Sequence, residues 1–201
     1  MTTTAAVLVP VKAFANAKQR LADVLDPAAR VALAMAMADT VLQAARPLRA
    51  AVVCDDDEVR TWAEGQGAEV IWTPGLGLNG AVAAGVAHLA RNGVDRVIVA
   101  HADLPLATEL AWLADTDGVT LVPDRHRDGT NAACIPSDAG FSFAYGAGSF
   151  AAHRAEATRL GLTLRLASDA RLGWDVDVAA DLAPPADLAP PPYLALAVPC
   201  R

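Results

Sequence analysis

Short runs of small aliphatic residues alternate along this chain with longer stretches in which apolar positions recur every three or four residues, the pattern of buried strands separated by helices. Residues 5–11 are almost wholly apolar and predict a first, buried strand. A polar loop follows, and Asp26-Pro27 then predicts a long helix reaching about Ala45, with Asp26 as its cap and Pro27 at the first helical position. Residues 50–54 predict a second strand, Asp55 to Asp57 the start of a helix carrying Val59, Trp62 and Ala63, and 68–72 a third strand. The segment 74–80 reads as a loop leading into a helix from about Asn79 to Arg91, and 94–100 as a fourth strand. Beyond it the pattern predicts a helix over 106–114, strands at 118–122 and 131–136, a helix opening at Gly146 to Ser149 and reaching about Leu160, a strand at 162–167, and a short helical turn after Trp174 to Asp177.

Strands separated by helices of this length imply right-handed crossovers on a parallel sheet. The closely spaced later strands add a mixed edge. The expected fold is therefore α/β, a Rossmann-like mixed, mainly parallel sheet flanked by helices. One domain is expected over 1–183. Residues 184–201 are Pro-rich and read as a tail that docks on the body or on a partner, because proline cannot continue a helix or a central strand. The apolar end of that tail, 193–198, is expected to extend a sheet across a homodimer.

Composition narrows the picture. Of 201 residues, 54% are hydrophobic and 19% charged, enough for a sizeable core of small aliphatics. A net charge of −7 without any basic stripe argues against a nucleic-acid partner. Cys54, Cys134 and Cys200 are odd in number and too scattered for a zinc site, which suggests reduced thiols. No long uncharged apolar run predicts a membrane span, and the N-terminus lacks a basic signal-type region, so a cytoplasmic protein is expected.

Ligands of open α/β sheets bind at the carboxyl ends of the strands. Asp103 sits at such an exit, with Leu104-Pro105 forcing a turn behind it. Asp175 and Asp177 follow a later short apolar stretch and would share one side of it if extended. Carboxylates held at fixed exits suit a hard cation such as Mg²⁺, which takes few protein ligands and shares the rest with phosphate oxygens. Asp103 with Asp175 is the expected metal pair. Two other readings stand beside it: Asp103 as cap of the helix over 106–114, and Asp177 as cap of the later turn, which leaves contact of Asp177 with the metal open. Lys12, Lys18 and Arg20 could clamp a triphosphate or be solvated surface. Neither a phosphate-loop nor a dinucleotide glycine motif is present. Small residues from Gly146 to Ser149 would let backbone N–H groups approach an anion, or Ser149 could be an ordinary cap. His101 and His153 read as structural.

Five segments in order, PVKAFANAKQRLADVLDPAAR at 10–30, HADLPL at 101–106, DRHRDGTNA at 124–132, YGAGSFAAHRAEA at 145–157 and DVDVAADL at 175–182, resemble the phosphoenolpyruvate or 2-phospho-L-lactate guanylyltransferases of coenzyme F-420 biosynthesis. The resemblance implies a GT-A-like nucleotidyltransferase. Its metal ligands fall on Asp103 and Asp175, and its contacts to the acceptor's phosphate and carboxylate on Thr130, Gly146 and Ser149. Lys12 and Lys18, with Arg20 beside them, would face the GTP phosphates, and Gly77 to Gly80, with Asn79 and Gly80, would lie near the nucleoside. Two positions depart from the family pattern: Ala102 stands where it has glycine, and Val178-Ala179 where it has Thr-Pro. The implied reaction is attack of an acceptor phosphate oxygen on the α-phosphorus of GTP, with Lys18 stabilising the pyrophosphate that leaves. The partners are GTP and a small phosphorylated carboxylic acid: phosphoenolpyruvate, 2-phospho-L-lactate or 3-phospho-D-glycerate. A molybdopterin-type nucleotidyltransferase or a silent nucleotide-binding protein are the rival readings.

Overall fold

A computed structural model describes residues 3–197 of the chain. Seven strands form one sheet: β1 (Ala5–Pro10), β2 (Arg49–Cys54), β3 (Glu69–Trp72), β4 (Arg96–Ala100), β5 (Val119–Pro123), β6 (Thr130–Pro136) and β7 (Leu164–Leu166), in the order β3-β2-β1-β4-β6-β5-β7. β1 pairs in parallel with β2 and β4, β2 with β3, and β5 with β7, whereas β6 runs antiparallel to both β4 and β5. The helices are α1 (Pro27–Ala44), α2 (Asp57–Gly65), α3 (Gly77–Arg91), α4 (Ser149–Arg159) and α5 (Pro192–Ala197).

Each face of the sheet is covered, which is why β1 and β4 can be apolar at nearly every position. On one face Val7, Val9, Val52 and Ile98 pack under α1 and α2, with Phe14 and Trp62 edge-to-face at 5.3 Å. On the other, Leu8, Val53, Val97 and Val99 pack under α3 and α4. α3 comes so close to the sheet that a Cβ on Gly85 would stand 2.7 Å from Leu8 and from Val53. Asp26 caps α1 by accepting from the Ala29 N–H at 2.8 Å, and Asp56 caps α2. The chain steps outward from β1 through β2 to β3, then returns to place β4 on the other side of β1. That reversal opens a crevice at the carboxyl ends of β1 and β4.

Two expectations from the pattern are corrected. Residues 106–114 do not form a helix; only Ala111–Ala114 make a 3₁₀ turn. Leu104, Leu106 and Leu110 are each buried in the core, and the Leu110 N–H donates to the Ala44 carbonyl at 3.0 Å, so tertiary contacts replace a helical ladder. The apolar end of the tail is helical over 192–197 and does not extend a sheet. Pro192 opens α5, Leu194 buries against Leu33 and Met37, and the Tyr193 and Thr40 hydroxyls meet at 2.9 Å. Val198 and Cys200 lie outside the described residues; Cys54 and Cys134 are buried free thiols. Among the described residues no helix is long and apolar enough to cross a membrane.

Candidate active site

The loop leaving β1 is pinned by two buried side chains, Phe14 and Leu21, each on its own 3₁₀ turn. Lys18 lies between them in the left-handed region at φ 52°, and its side chain turns inward. Two hollows flank this loop. One, of about 260 Å³, is lined by Lys12, Asn16, Lys18, Leu78, His101, Ala102 and Asp103. The other, of about 230 Å³, is lined by Lys12, Asn16, Asp55, Thr73, Gly77 and Leu78. Shared walls at Lys12, Asn16 and Leu78 make them one trough along the carboxyl ends of β1 to β4.

Asp103 stands just past the exit of β4, and its carbonyl accepts from the Val176 N–H at 3.2 Å, which brings the 175–177 segment alongside. The Lys18 ammonium is 2.6 Å from Asp103 Oδ2 and 3.2 Å from Asp177 Oδ1. Arg20 is largely exposed and reaches Asp177 only at 3.8 Å. Burial works against both charges of the Lys18–Asp103 pair. The pair nevertheless overcomes it: the carboxylates raise Lys18, and Lys18 lowers Asp103, from their ordinary values. Asp175 behaves differently. Burial, and then the nearby charge of Asp103, raise it. It lies 3.4 Å from Asn131 Nδ2 and 3.5 Å from Arg125 Nη1. Asp175 and Asp177 thus go to different partners.

Arg125 is immobilised around this segment. It donates to the Asp175 carbonyl at 3.0 Å, stacks over Trp174 at 4.4 Å and pairs with the buried Asp181. Asp181 Oδ2 in turn accepts from the N–H groups of Asp177 and Val178 at 2.7 and 2.8 Å. The cap of the turn at Ala179–Leu182 is therefore supplied by Asp181, and Asp177 is left facing Lys18. Asp103 caps nothing either, since the helix it would have capped does not form.

A hard cation fits these donors. Asp103 Oδ1 is buried without any hydrogen-bond partner, and the neighbouring Asp175 and Asp177 also offer only oxygens. Among the described residues no group of three or more His, Cys, Asp or Glu is gathered tightly enough to hold an ion by itself. A cation here would need further oxygens from phosphate and water, as magnesium ordinarily takes.

Thr130 opens β6, Gly146 has φ 131°, and Ser149 is the first residue of α4, whose cap is Gly148 in the left-handed region. Thr130 and Ser149 are buried, whereas Gly146 and Ala147 are exposed. Thr130 Oγ1 lies 3.0 Å from His153 Nδ1. Asn79 does not face the trough. Its amide clamps the backbone of Tyr145, accepting from N–H at 2.7 Å and donating to C=O at 3.3 Å. Gly80 also lies off the trough, which Gly77 and Leu78 line instead. Of the expected nucleotide contacts, then, Lys12 and Lys18 line the trough, whereas Arg20 lines neither hollow. Arg125, Asp181, Asn131 and Asn16 escaped the sequence reading. Asp181 sits three residues after Val178, and with valine rather than serine or threonine at the cap no capping-box pair marks it; Arg125 lies 50 residues before Asp175 and carries no local sign.

A family model described as "Guanylyl transferase CofC like" matches residues 5–184. A phosphoenolpyruvate guanylyltransferase of Sphaerobacter thermophilus is 40% identical over 174 residues, covering 82% of this chain and 83% of that protein. One of Rubrobacter xylanophilus is 34% identical over 168 residues, covering 79% and 82%. Among solved structures, a putative nucleotide-diphospho-sugar transferase from Desulfovibrio desulfuricans superposes with a TM-score of 0.70 at 18% identity, covering 90% of this chain and 85% of that one. A glucosyl-3-phosphoglycerate synthase from Mycobacterium tuberculosis, in complex with Mn²⁺, uridine diphosphate and phosphoglyceric acid, gives 0.51 at 14% identity, covering 83% and 68%. Those two likenesses carry the fold, which is of the nucleotide-sugar-transferase type, and the sequence relatives carry the lineage: the chain belongs to the CofC-like guanylyltransferase family.

Proposed function

We propose that this chain joins GMP from GTP to a small phosphorylated carboxylic acid with release of pyrophosphate, in the biosynthesis of coenzyme F-420, and that phosphoenolpyruvate, named in its relatives, is the acceptor. The observation that carries the reading is the Lys18 ammonium held between Asp103 and Asp177 in a trough shared with Lys12. Cations and carboxylates intermixed at a sheet's switch point suit a nucleoside triphosphate with its counter-cation, and suit a neutral ligand poorly.

GTP would lie along the trough, its base toward Gly77 and Thr73 and its phosphates on Lys12 and Lys18. A divalent cation such as Mg²⁺, held by Asp103 and Asp175, would supply charge neutralisation on the phosphate oxygens; the Mycobacterium tuberculosis synthase of like fold, in complex with both Mn²⁺ and a nucleotide, supports pairing a divalent metal with the nucleotide. The acceptor would rest on the Thr130 hydroxyl, the exposed backbone at Gly146 and the first turn of α4 at Ser149. Its phosphate is already anionic and attacks the α-phosphorus without a strong base. Lys18 meets the charge that gathers on departing pyrophosphate.

Replacing Asp103 by Asn keeps the shape and removes the charge. Magnesium-dependent pyrophosphate release should fall at least about a hundredfold, two factors of ten at ~1.4 kcal/mol each. Undiminished release would sink the ligand role of Asp103. Offering the three candidate acids together with GTP, and weighing the products by mass spectrometry, identifies the acceptor.

A further inference from the structure

His153 is wholly buried on α4, one turn beyond Ser149, among Phe141, Phe143 and Tyr145, whose ring centroids lie 5.8, 6.3 and 4.8 Å from its own. Both of its nitrogens are engaged. Nε2 lies 3.0 Å from the Ala144 backbone N, and a backbone N–H can only donate, so Nε2 is the acceptor. Burial, and then the charge of His101, push the imidazole down to about 4, so the ring is neutral near pH 7 and carries one proton. That proton is then on Nδ1, which faces Thr130 Oγ1 at 3.0 Å and donates to it. With a lone pair of the hydroxyl so occupied, the hydroxyl's own hydrogen is left to point elsewhere. One side chain thus ties together the start of β6, the strand of loop entering Gly146 and the first turns of α4.

We infer that His153 is a positioning residue of the acceptor site, holding the Thr130 hydroxyl as a donor toward an anionic acceptor and fixing the backbone that leads into Gly146. The inference rests on the acceptor reading above. An anion needs donors, and a hydroxyl left to rotate would offer lone pairs as readily as its hydrogen; the imidazole takes one lone pair and cannot itself accept that hydrogen, which leaves it for the acceptor. The Asn79 amide, clamping Tyr145 from the opposite side, holds the other end of the same short segment.

The test is a double-mutant cycle on the full chain. His153→Phe keeps a ring and removes both hydrogen bonds. It should raise the acceptor KM roughly fivefold to tenfold, the scale of one well-placed neutral hydrogen bond, with the GTP KM unmoved. Thr130→Val alone should do the same, and adding His153→Phe to it should change little. Equal effects on both substrates, no effect of His153→Phe while Thr130→Val acts, or effects that multiply in the double variant would each overturn the positioning role. Thr130→Val without effect removes the acceptor reading itself and the inference with it. Should His153→Phe fold poorly, ¹H–¹⁵N spectra of the wild-type imidazole decide the matter: the Nδ1–H tautomer at pH 7 is required, and the Nε2–H tautomer overturns it.

Discussion

Lys18→Met removes an ammonium while keeping an unbranched stem, and so isolates what that charge does between its two carboxylates. At 4 Å and an effective dielectric of 20, one pair of unit charges is worth about 4 kcal/mol. The contact with Asp103 is shorter, 2.6 Å, between side chains only 11% and 23% exposed, so it lies in the regime where breaking a pair costs about 3 to 5 kcal/mol. Asp177 is 49% exposed and adds about 1 kcal/mol or less. Asp103 has its pKa held below its ordinary 3.8, so its share of the stability is present above that pH and is lost as pH falls through the lowered value. Lys18 is raised above its ordinary 10.5, so its share is present below that pH and is lost as pH rises through the raised value. Measurement at pH 7 therefore sees the whole effect. A loss of about 3 kcal/mol corresponds to a fall in Tm of roughly 6–12 °C for a chain of this size. On the proposed reading a divalent cation would share Asp103 with the Lys18 ammonium, whose charge repels it, whereas the variant presents it with uncompensated carboxylates. Thermal unfolding with and without saturating Mg²⁺ should show a larger metal-induced rise in Tm for Lys18→Met than for wild type, by RT ln(1 + [L]/Kd) at the tighter affinity. A rise no larger than that of wild type would refute the reasoning that this ammonium and a metal oppose each other across one carboxylate.

Asp181→Asn leaves Arg125 without its buried partner and weakens the hold on the N–H groups of 177 and 178; it should cost about 2–4 kcal/mol in denaturant unfolding and weaken Mn²⁺ binding by calorimetry roughly tenfold or more, while unchanged Mn²⁺ affinity would mean that the 175–178 loop does not depend on this anchor. Gly85→Ala drives a methyl to 2.7 Å from Leu8 and Val53 in a packed core. Overpacking of this kind costs about 1–3 kcal/mol, of which helix propensity returns up to ~1; a variant as stable as wild type in urea would show that α3 can lift off the sheet at little cost.

Much of this architecture is written in local pattern. Buried strands of Val, Ala and Ile, the Asp26-Pro27 and Asp56 helix starts, and the alternation that demands parallel crossovers each depend on residues near one another in the chain, so a reading of windows recovers them. Where long-range packing overrode local preference, the pattern misled. Leu106 and Leu110 have the i, i+4 spacing of a helix but are drawn singly into the core, and 193–197 reads as a strand yet coils against α1 because Pro192 favours a helix start and Leu194 finds a pocket there. The site divides in the same way. That Asp103 stands at a strand exit, and that Lys12 and Lys18 follow the first strand, could be read from the chain alone. Which carboxylate meets which cation could not: Lys18 chooses Asp103 and Asp177 from 85 and 159 positions away, and Arg125 takes Asp175 and Asp181. Charge pairing acts through space over a few ångströms, and only the assembled fold sets those distances.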